Sequence, residues 1–472
     1  MSDLGKPESV LDLWAAKLDG LGVKFAFYSG ALHAYREGVW YPVLSKEREA
    51  VFDHQMYKAC LGVLDYGKHA SSLWKTAQAK FQSPVIIGRE GFMVFTNGTL
   101  DLSSRELVPH SPDHGAVHGV EVPYDKKARC PKWLGTVGRA MGTKISDSEL
   151  KVTVDFLQEW FGAALVGGSA VTRNREFRKA LLLYGPSRTG KTVIADIVRV
   201  LFGVEHVASS TMTELGQRFG VAALLGKRAL ISDEGVSLGA RGSTSILKRL
   251  VTGDWLELEE KYKPTIPFRF DGPMLFTSNA LPRFEDSSRA LYDRWLVFRF
   301  DHVFQSGQNK RDFPPHGEHV RYFRERGELS GIVNWALRGY DRLVARGNYV
   351  LPESVGVCAK DFRQMNDPLY DFASQYLEYA DGSYCDLAAL AHIMSAFARE
   401  RHGSIRPVAS FTEEVRAHVI DTVPGLRVEA GAAGPVVLGA RLTPPGMLLW
   451  SAIKGDIGTR GVGTLTVNGQ SL

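Results

Sequence analysis

Apolar and polar positions along the chain change period several times, and each change marks an element. Leu150, Val154, Leu157, Phe161 and Leu165 recur at helical spacing, which predicts a helix over Glu149 to Leu165 with Ser146 or Ser148 as its cap. Such a stripe serves packing against neighbouring helices or, more sharply, a collar between subunits. Ala180-Leu181-Leu182-Leu183-Tyr184 reads as a short apolar strand. Ile194, Ile197, Val198 and Leu201 then predict a helix over Val193 to Phe202. Two more apolar strands follow, Ala229 to Ser232 and Pro273 to Ser278. Between them, Leu256, Glu257, Leu258 and Glu259 alternate as a strand does and lead, with Ile266 to Phe270, to a hairpin.

The flanks are patterned differently. Residues 1–135 mix short strands and helices, with strands at Gly38 to Tyr41 and at Gly91 to Phe95, the second closed by the turn chemistry of Asn97-Gly98. A helical collar is expected over 136–178 and an α/β core over 179–303. Gln305 to His319 is polar, contains Pro314-Pro315, and reads as a loop. Helices resume over Val320 to Arg346, within a helical extension over 304–365. From 366 to 455 helical patterns lead to the capping-box spelling Ser410-Phe411-Thr412-Glu413. Two strands follow, Leu426 to Val428 and Val436 to Leu438, and helices before a two-stranded ribbon predict a winged helix. Residues 456–472 are expected to be a loose tail. The expected fold class is α/β: a parallel sheet after a mixed α+β and helical domain and before the winged helix.

Composition narrows the class. The 472 residues suffice for two to four domains. Lys and Arg number 57 against 52 Asp and Glu, a net charge of +5 that permits nucleic acid as a partner without requiring it. Cys60, Cys130, Cys358 and Cys385 form no C-x-x-C pair, as in a reduced intracellular protein without a zinc ribbon. His114 and His118 stand at metal-ligand spacing, but Pro112 and Gly115 make them loop histidines. No signal-peptide pattern, no internal repeat and no apolar run near the ~18 residues of a membrane span is present.

Chemistry concentrates around the apolar strands. GPSRTGKT, spanning Gly185, Pro186, Ser187, Arg188, Thr189, Gly190, Lys191 and Thr192, is a phosphate-binding loop between a strand and a helix. Its backbone N–H groups and the helix N-terminus face the phosphates of ATP. Lys191 reaches the β- and γ-phosphates and Thr192 ligates Mg²⁺. Ala229 to Ser232 runs into Asp233, a second Mg²⁺ ligand, and Glu234, a general base for the attacking water. Pro273 to Ser278 ends in Asn279, which either senses the γ-phosphate or caps a turn. Arg289 and Arg294 follow, each a surface ion pair or a guanidinium for a neighbour's ATP. The hairpin tip Lys261-Tyr262-Lys263 either grips a phosphate backbone and stacks a base or is solvated surface. The run from Arg173 to Lys179 is either solvated or faces DNA or a neighbouring subunit.

Taken together, GPSRTGKT, ISDEG, LKRLVTGD with KYK, and PMLFTSNALPRFEDSSRALYDRW resemble the four motifs of superfamily III helicases, and most closely the phage, plasmid and poxvirus primase-helicase family. GALHAYREGVWYP, VFTNGTLDL and DPLYDFASQYLEY resemble that family's flanking regions, so the likeness covers roughly residues 25–420. The resemblance implies a P-loop, AAA+-like ATPase motor over 179–303 on the parallel sheet, working as a homo-hexameric ring that translocates on single-stranded and forked DNA with ATP and Mg²⁺, in the cytoplasm of a bacterial host cell. It implies the roles above for Lys191, Thr192, Asp233, Glu234 and Asn279, DNA contact for Lys261 or Lys263, and an arginine finger at Arg294 before Arg289. Many members carry a primase domain; this chain has little room for one and no acidic D-x-D metal pair, which points to a separate primase or polymerase as partner. The competing reading is an ATPase that binds an origin or loads replication proteins without unwinding. A nucleotide kinase fits poorly, because no lid-like arginine cluster follows a small core.

Overall fold

The computed structural model describes residues 7–28, 31–43, 48–88, 91–117, 119–142, 145–167, 174–233, 243–259, 265–284, 289–304, 317–404, 406–431 and 434–457, with two short strands beyond them. They form two units. The first comprises Met1–Gly235, Ile246–Ala280 and Phe298–Ser354, the second Val236–Ser245, Leu281–Val297 and Val355–Leu472. Among the described residues no helix is long and apolar enough to cross a membrane.

The first unit begins with α1 (Pro7–Asp19), whose buried Trp14 donates its indole N–H to the Phe52 carbonyl at 3.1 Å. Strands β1 (Lys24–Tyr28), β2 (Ala31–Arg36) and β3 (Val39–Pro42) form an antiparallel meander, followed by helices α2 (His54–Cys60) and α3 (Tyr66–Lys80). A second sheet has the order β6-β5-β4-β7, from β4 (Phe92–Phe95), β5 (Gly98–Asp101), β6 (Leu107–Val108) and β7 (Gly119–Val120). Phe95 pairs with Gly98, so Thr96-Asn97 makes the turn of the expected hairpin. Helix α4 (Pro131–Met141) runs through the boundary expected at residue 135.

Helix α5 (Asp147–Val166) is the one read from the stripe, and Ser146 caps it, its hydroxyl accepting the Glu149 N–H at 3.3 Å. The chain then enters β8 (Ala180–Tyr184), α6 (Lys191–Phe202), β9 (Val207–Ser209), α7 (Met212–Leu215), β10 (Ala229–Ser232) and α8 (Ser243–Thr252). The hairpin β11 (Leu256–Leu258) and β12 (Ile266–Phe268) follows, then β13 (Met274–Ser278), α9 (Arg289–Tyr292) and β14 (Trp295–Arg299). The central sheet has the order β14-β8-β13-β10-β9, and β8, β13, β10 and β9 pair in parallel. Every residue of β8, β10 and β13 is buried, which is why these strands are apolar up to their C-terminal ends, where Ser232, Thr277 and Ser278 are buried polar residues.

Helices α10 (His319–Glu325), α11 (Glu328–Arg346) and the start of α12 (Glu353–Asn366) complete the unit. Helix α11 crosses α5 at two glycines. A Cβ on Gly162 would lie 2.4 Å from the Ala336 carbonyl oxygen, and one on Gly339 2.4 Å from that of Gln158. Backbone-to-backbone approach this close excludes any side chain at the crossing. Buried Glu159 then accepts from Arg342 at 2.7 Å and from Arg346. Of the stripe, Leu157, Phe161 and Leu165 are buried, Phe161 against Trp133 of α4 and Trp335 of α11, while Leu150 and Val154 are half-buried.

One residue of the basic run behaves unlike a surface cation. Arg178, 9% exposed, donates to the carbonyls of Val251 (3.1 Å), Leu250 (2.9 Å) and Phe270, and to Asp271 Oδ1 (3.0 Å). It ties the end of α8 to the end of β12, the hairpin's second strand. Gly253 (φ 70°) follows α8, and a Cβ there would meet the guanidinium at 2.7 Å. Burial lowers the Arg178 pKa and Asp271 opposes that shift.

In the second unit, the Asp367 carboxylate accepts the Tyr370 N–H at 2.9 Å and caps α13 (Pro368–Tyr376). The order continues with β15 (Leu377–Asp386), α14 (Leu387–His402), α15 (Val408–Thr422), β16 (Arg427–Gly431), β17 (Gly434–Leu442) and α16 (Pro444–Ile457). The sheet order is β15-β17-β16, packed on a core that includes Phe372, Leu390, Phe397 and Phe411. Two expectations need correction. Ser410 and Glu413 do not form a capping box, because Pro407 sits at the N-cap with φ −67° and starts α15 at Val408. Ser410 already donates its N–H to the Pro407 carbonyl at 3.0 Å. Residues expected as a loose tail include a paired ribbon, β18 (Thr466–Val467) with β19 (Gln470–Ser471).

Removing the Arg178 guanidinium takes a donor from Asp271, which keeps Arg269, and from three carbonyls, of which that of Leu250 keeps the Gly253 N–H. Arg178→Met is expected to destabilise the first unit by about 1–3 kcal/mol, the scale for leaving buried carbonyls without a donor. The urea midpoint of its unfolding measures the change; an unshifted midpoint would make the network incidental.

Candidate nucleotide-binding site

In parallel pairing, Tyr184 faces Ser278 and Ser232 faces Phe276, so β8, β13 and β10 end on one edge. Beyond them lie the loop 185–190, Asn279 and Asp233. Two hydrogen bonds tie the ends together: the Gly185 N–H donates to the Ser278 carbonyl at 3.2 Å, and the Thr277 hydroxyl to the Asp233 carbonyl at 3.0 Å.

Gly185 leaves β8 with φ 141°, and a Cβ there would lie 2.0 Å from the Phe300 carbonyl oxygen. Arg188 is left-handed at φ 64°, unusual for a side chain with a Cβ, and Gly190 at φ 92°. Their left-handed turns wrap the loop towards the start of α6. Gly190 is the N-cap of α6, and no side chain caps that end. Its first N–H groups and the positive end of the helix dipole point to the loop's interior.

Lys191 is buried at 8% exposure. Its ammonium donates to the carbonyls of Gly185 and Pro186, both at 2.7 Å, and to the Thr189 hydroxyl at 3.3 Å. These partners are neutral oxygens, and burial lowers the Lys191 pKa. An anion in the loop would supply the missing countercharge, and a phosphate would fit this cradle. Thr192 and Asp233 are exposed at the same edge and offer the hydroxyl and carboxylate oxygens that Mg²⁺ prefers.

The remaining expected site residues are distributed as follows. Asn279 is exposed just beyond β13. Glu234 and the hairpin tip Lys261, Tyr262 and Lys263 lie outside the described residues, although β11 and β12 pair antiparallel on either side of that tip. Of the loop histidines, His114 ends a short turn and stacks on Phe92 at 4.5 Å, while His118 is not among the described residues. Arg289 and Arg294 belong to the second unit. Arg289 is the first residue of α9, and its side chain is outside the described set. Arg294 is half-buried between Tyr292 and Trp295, whose rings lie 5.5 and 6.0 Å from that of Phe362 on α12. Asn366 accepts the Phe284 N–H at 2.6 Å and donates to the Pro282 carbonyl at 2.9 Å, anchoring the same segment.

Sequence reasoning missed Arg199, about two turns past Lys191 on α6. It donates to Asp196 Oδ1 at 3.2 Å and to Asp233 Oδ2. Its i,i+3 spacing from Asp196 was the one legible sign.

Residues 62–142 match a family model described as "D5 N terminal like", and residues 183–294 match "Family of unknown function (DUF5906)". The two matched segments support a phage primase-helicase-like family. Among solved structures, the chain is similar to the A-form apo structure of the NrS-1 C-terminal region, at 12% identity and TM-score 0.46, over 91% of this chain and 98% of that one. A further apo structure of that region has 12% identity and TM-score 0.44, over 92% and 99% of the two chains.

Gly185→Ala is expected to push the loop off β14's end and weaken binding of a fluorescent ATP analogue at least tenfold. Equal binding by the two proteins would show that the loop tolerates a side chain there.

Proposed function

We propose that the chain is an ATP-dependent DNA helicase motor that works as a homo-hexameric ring on single-stranded and forked DNA. The observation that carries this reading is the shared strand edge, where the end of β13 lies between those of β8 and β10. It sets a polar amide between a phosphate loop and an acidic strand end, an order that suits hydrolysis by an oriented water. The setting is replication of a phage or mobile element in a bacterial cytoplasm, with a separate primase or polymerase as partner.

In this reading the loop N–H groups and Lys191 bind the phosphates of ATP, and Thr192 and Asp233 hold Mg²⁺. When bound, the metal neutralises phosphoryl charge. Glu234 takes the proton of the attacking water, and Asn279 orients that water. Arg294, with Arg289 second, serves the ATP of the neighbouring subunit. Lys261, Tyr262 and Lys263 grip the DNA strand at the hairpin tip. The helix-strand-helix-helix-strand-strand order of 368–442 supports a winged helix as an accessory module.

Lys191→Ala is expected to fold and to lose ATP turnover by at least about 10²-fold, the scale of removing one transition-state charge contact. Arg294→Ala is expected to be nearly inactive alone, since such fingers contribute about 10³–10⁵ in rate. Mixing the two inactive proteins restores phosphate release if the arginine acts across an interface; a mixture that stays inactive while labelled subunits exchange overturns the trans assignment. Replacing both Lys261 and Lys263 with alanine is expected to spare basal turnover and abolish its stimulation by single-stranded DNA. A forked-duplex assay separates the motor from a loader, which hydrolyses ATP without unwinding.

A further inference from the structure

We propose that Arg199 is a positioning residue for the metal-binding carboxylate of Asp233, itself held by Asp196 and His319. The proposal rests on the reading of Asp233 as a Mg²⁺ ligand. Asp233 sits just past β10, with its backbone fixed through Thr277 but its side chain 38% exposed. An exposed carboxylate on a fixed backbone still rotates about its own bonds. Arg199 removes that freedom: one guanidinium nitrogen meets Asp233 Oδ2 and another meets Asp196 Oδ1 at 3.2 Å. Asp196 Oδ2 in turn lies 2.9 Å from His319 Nδ1, and His319 on α10 is 6% exposed.

Charge decides what this arrangement does. A lone guanidinium beside a metal ligand would repel the cation. Here Asp196 offsets the Arg199 charge, so the network orients Asp233 with little net positive charge added. The planar fork suits one carboxylate on each side. Contact through Oδ2 directs Oδ1 to the metal. Outer partners of this kind typically alter metal affinity about 10–100-fold. The burden falls on the metal rather than on folding, because the buried apolar faces of α6 and β10 already pack the first unit.

The test uses the full chain, a fluorescent ATP analogue and a Mg²⁺ titration, with a parallel measurement in EDTA. Arg199→Gln is expected to raise the half-saturating Mg²⁺ concentration about tenfold or more, with affinity in EDTA unchanged. Arg199→Lys, which restores the charge without the fork, should fall between. Asp196→Asn keeps Arg199 but loosens its hold, and a smaller rise is expected; it carries the test if Arg199→Gln does not fold. An unchanged Mg²⁺ requirement in folded Arg199→Gln overturns the proposal while leaving the nucleotide reading standing. Equal weakening with and without Mg²⁺ also overturns it, since Arg199 would then act through the fold. A wild-type chain that binds no nucleotide overturns both.

Discussion

Everything in the candidate site depends on the register of three buried parallel strands. Parallel pairing makes β8, β13 and β10 end at the same edge, and it sets Tyr184 against Ser278 and Ser232 against Phe276. Because every residue of these strands is buried, a slip in register would expose apolar side chains or bury polar ones, so packing enforces the alignment. The polar chemistry is thereby confined to the residues just past the strands. The crossing of α5 and α11 through Gly162 and Gly339 packs a second layer in the same unit.

Two arginines show how burial changes the meaning of a charge. Arg178 lies in a run of cations that reads as a surface or DNA-facing patch, yet its guanidinium joins α8 to the end of the hairpin. Arg199 lies on the phosphate-loop helix and reaches the acidic strand end. Neither role follows from residue type or spacing. Each depends on which carbonyls and carboxylates the fold brings within about 3 Å of the guanidinium.

Local signals were read well where one interaction dominates. The apolar runs became strands and Ser146 caps α5, but the stripe did not mark that helix's buried side: all residues from Phe156 to Leu165 are buried, while Leu150 and Val154 are half-buried. The expected hairpin formed, with its turn at Thr96-Asn97 and Gly98 already paired in β5 rather than with Asn97-Gly98 as the turn. Where two local signals competed, the reading failed. Ser410-Phe411-Thr412-Glu413 has cap spelling, but Pro407 upstream fixes its own backbone and starts the helix first.

The sequence by itself determined that a glycine-rich loop joins an apolar strand to a helix, that a second apolar strand ends in Asp233-Glu234, and that a third ends at Asn279. Those are properties of short stretches, set by period, glycine content and side-chain chemistry. Only the tertiary structure decided that the third strand lies between the other two, that Lys191 turns onto the loop's own carbonyls, and that Arg199 meets Asp233. The physical reason is distance along the chain. Hydrogen bonds and charge contacts are short-ranged, while Asp196, Asp233 and His319 meet only after the strands have chosen their neighbours and the helices have packed beside them.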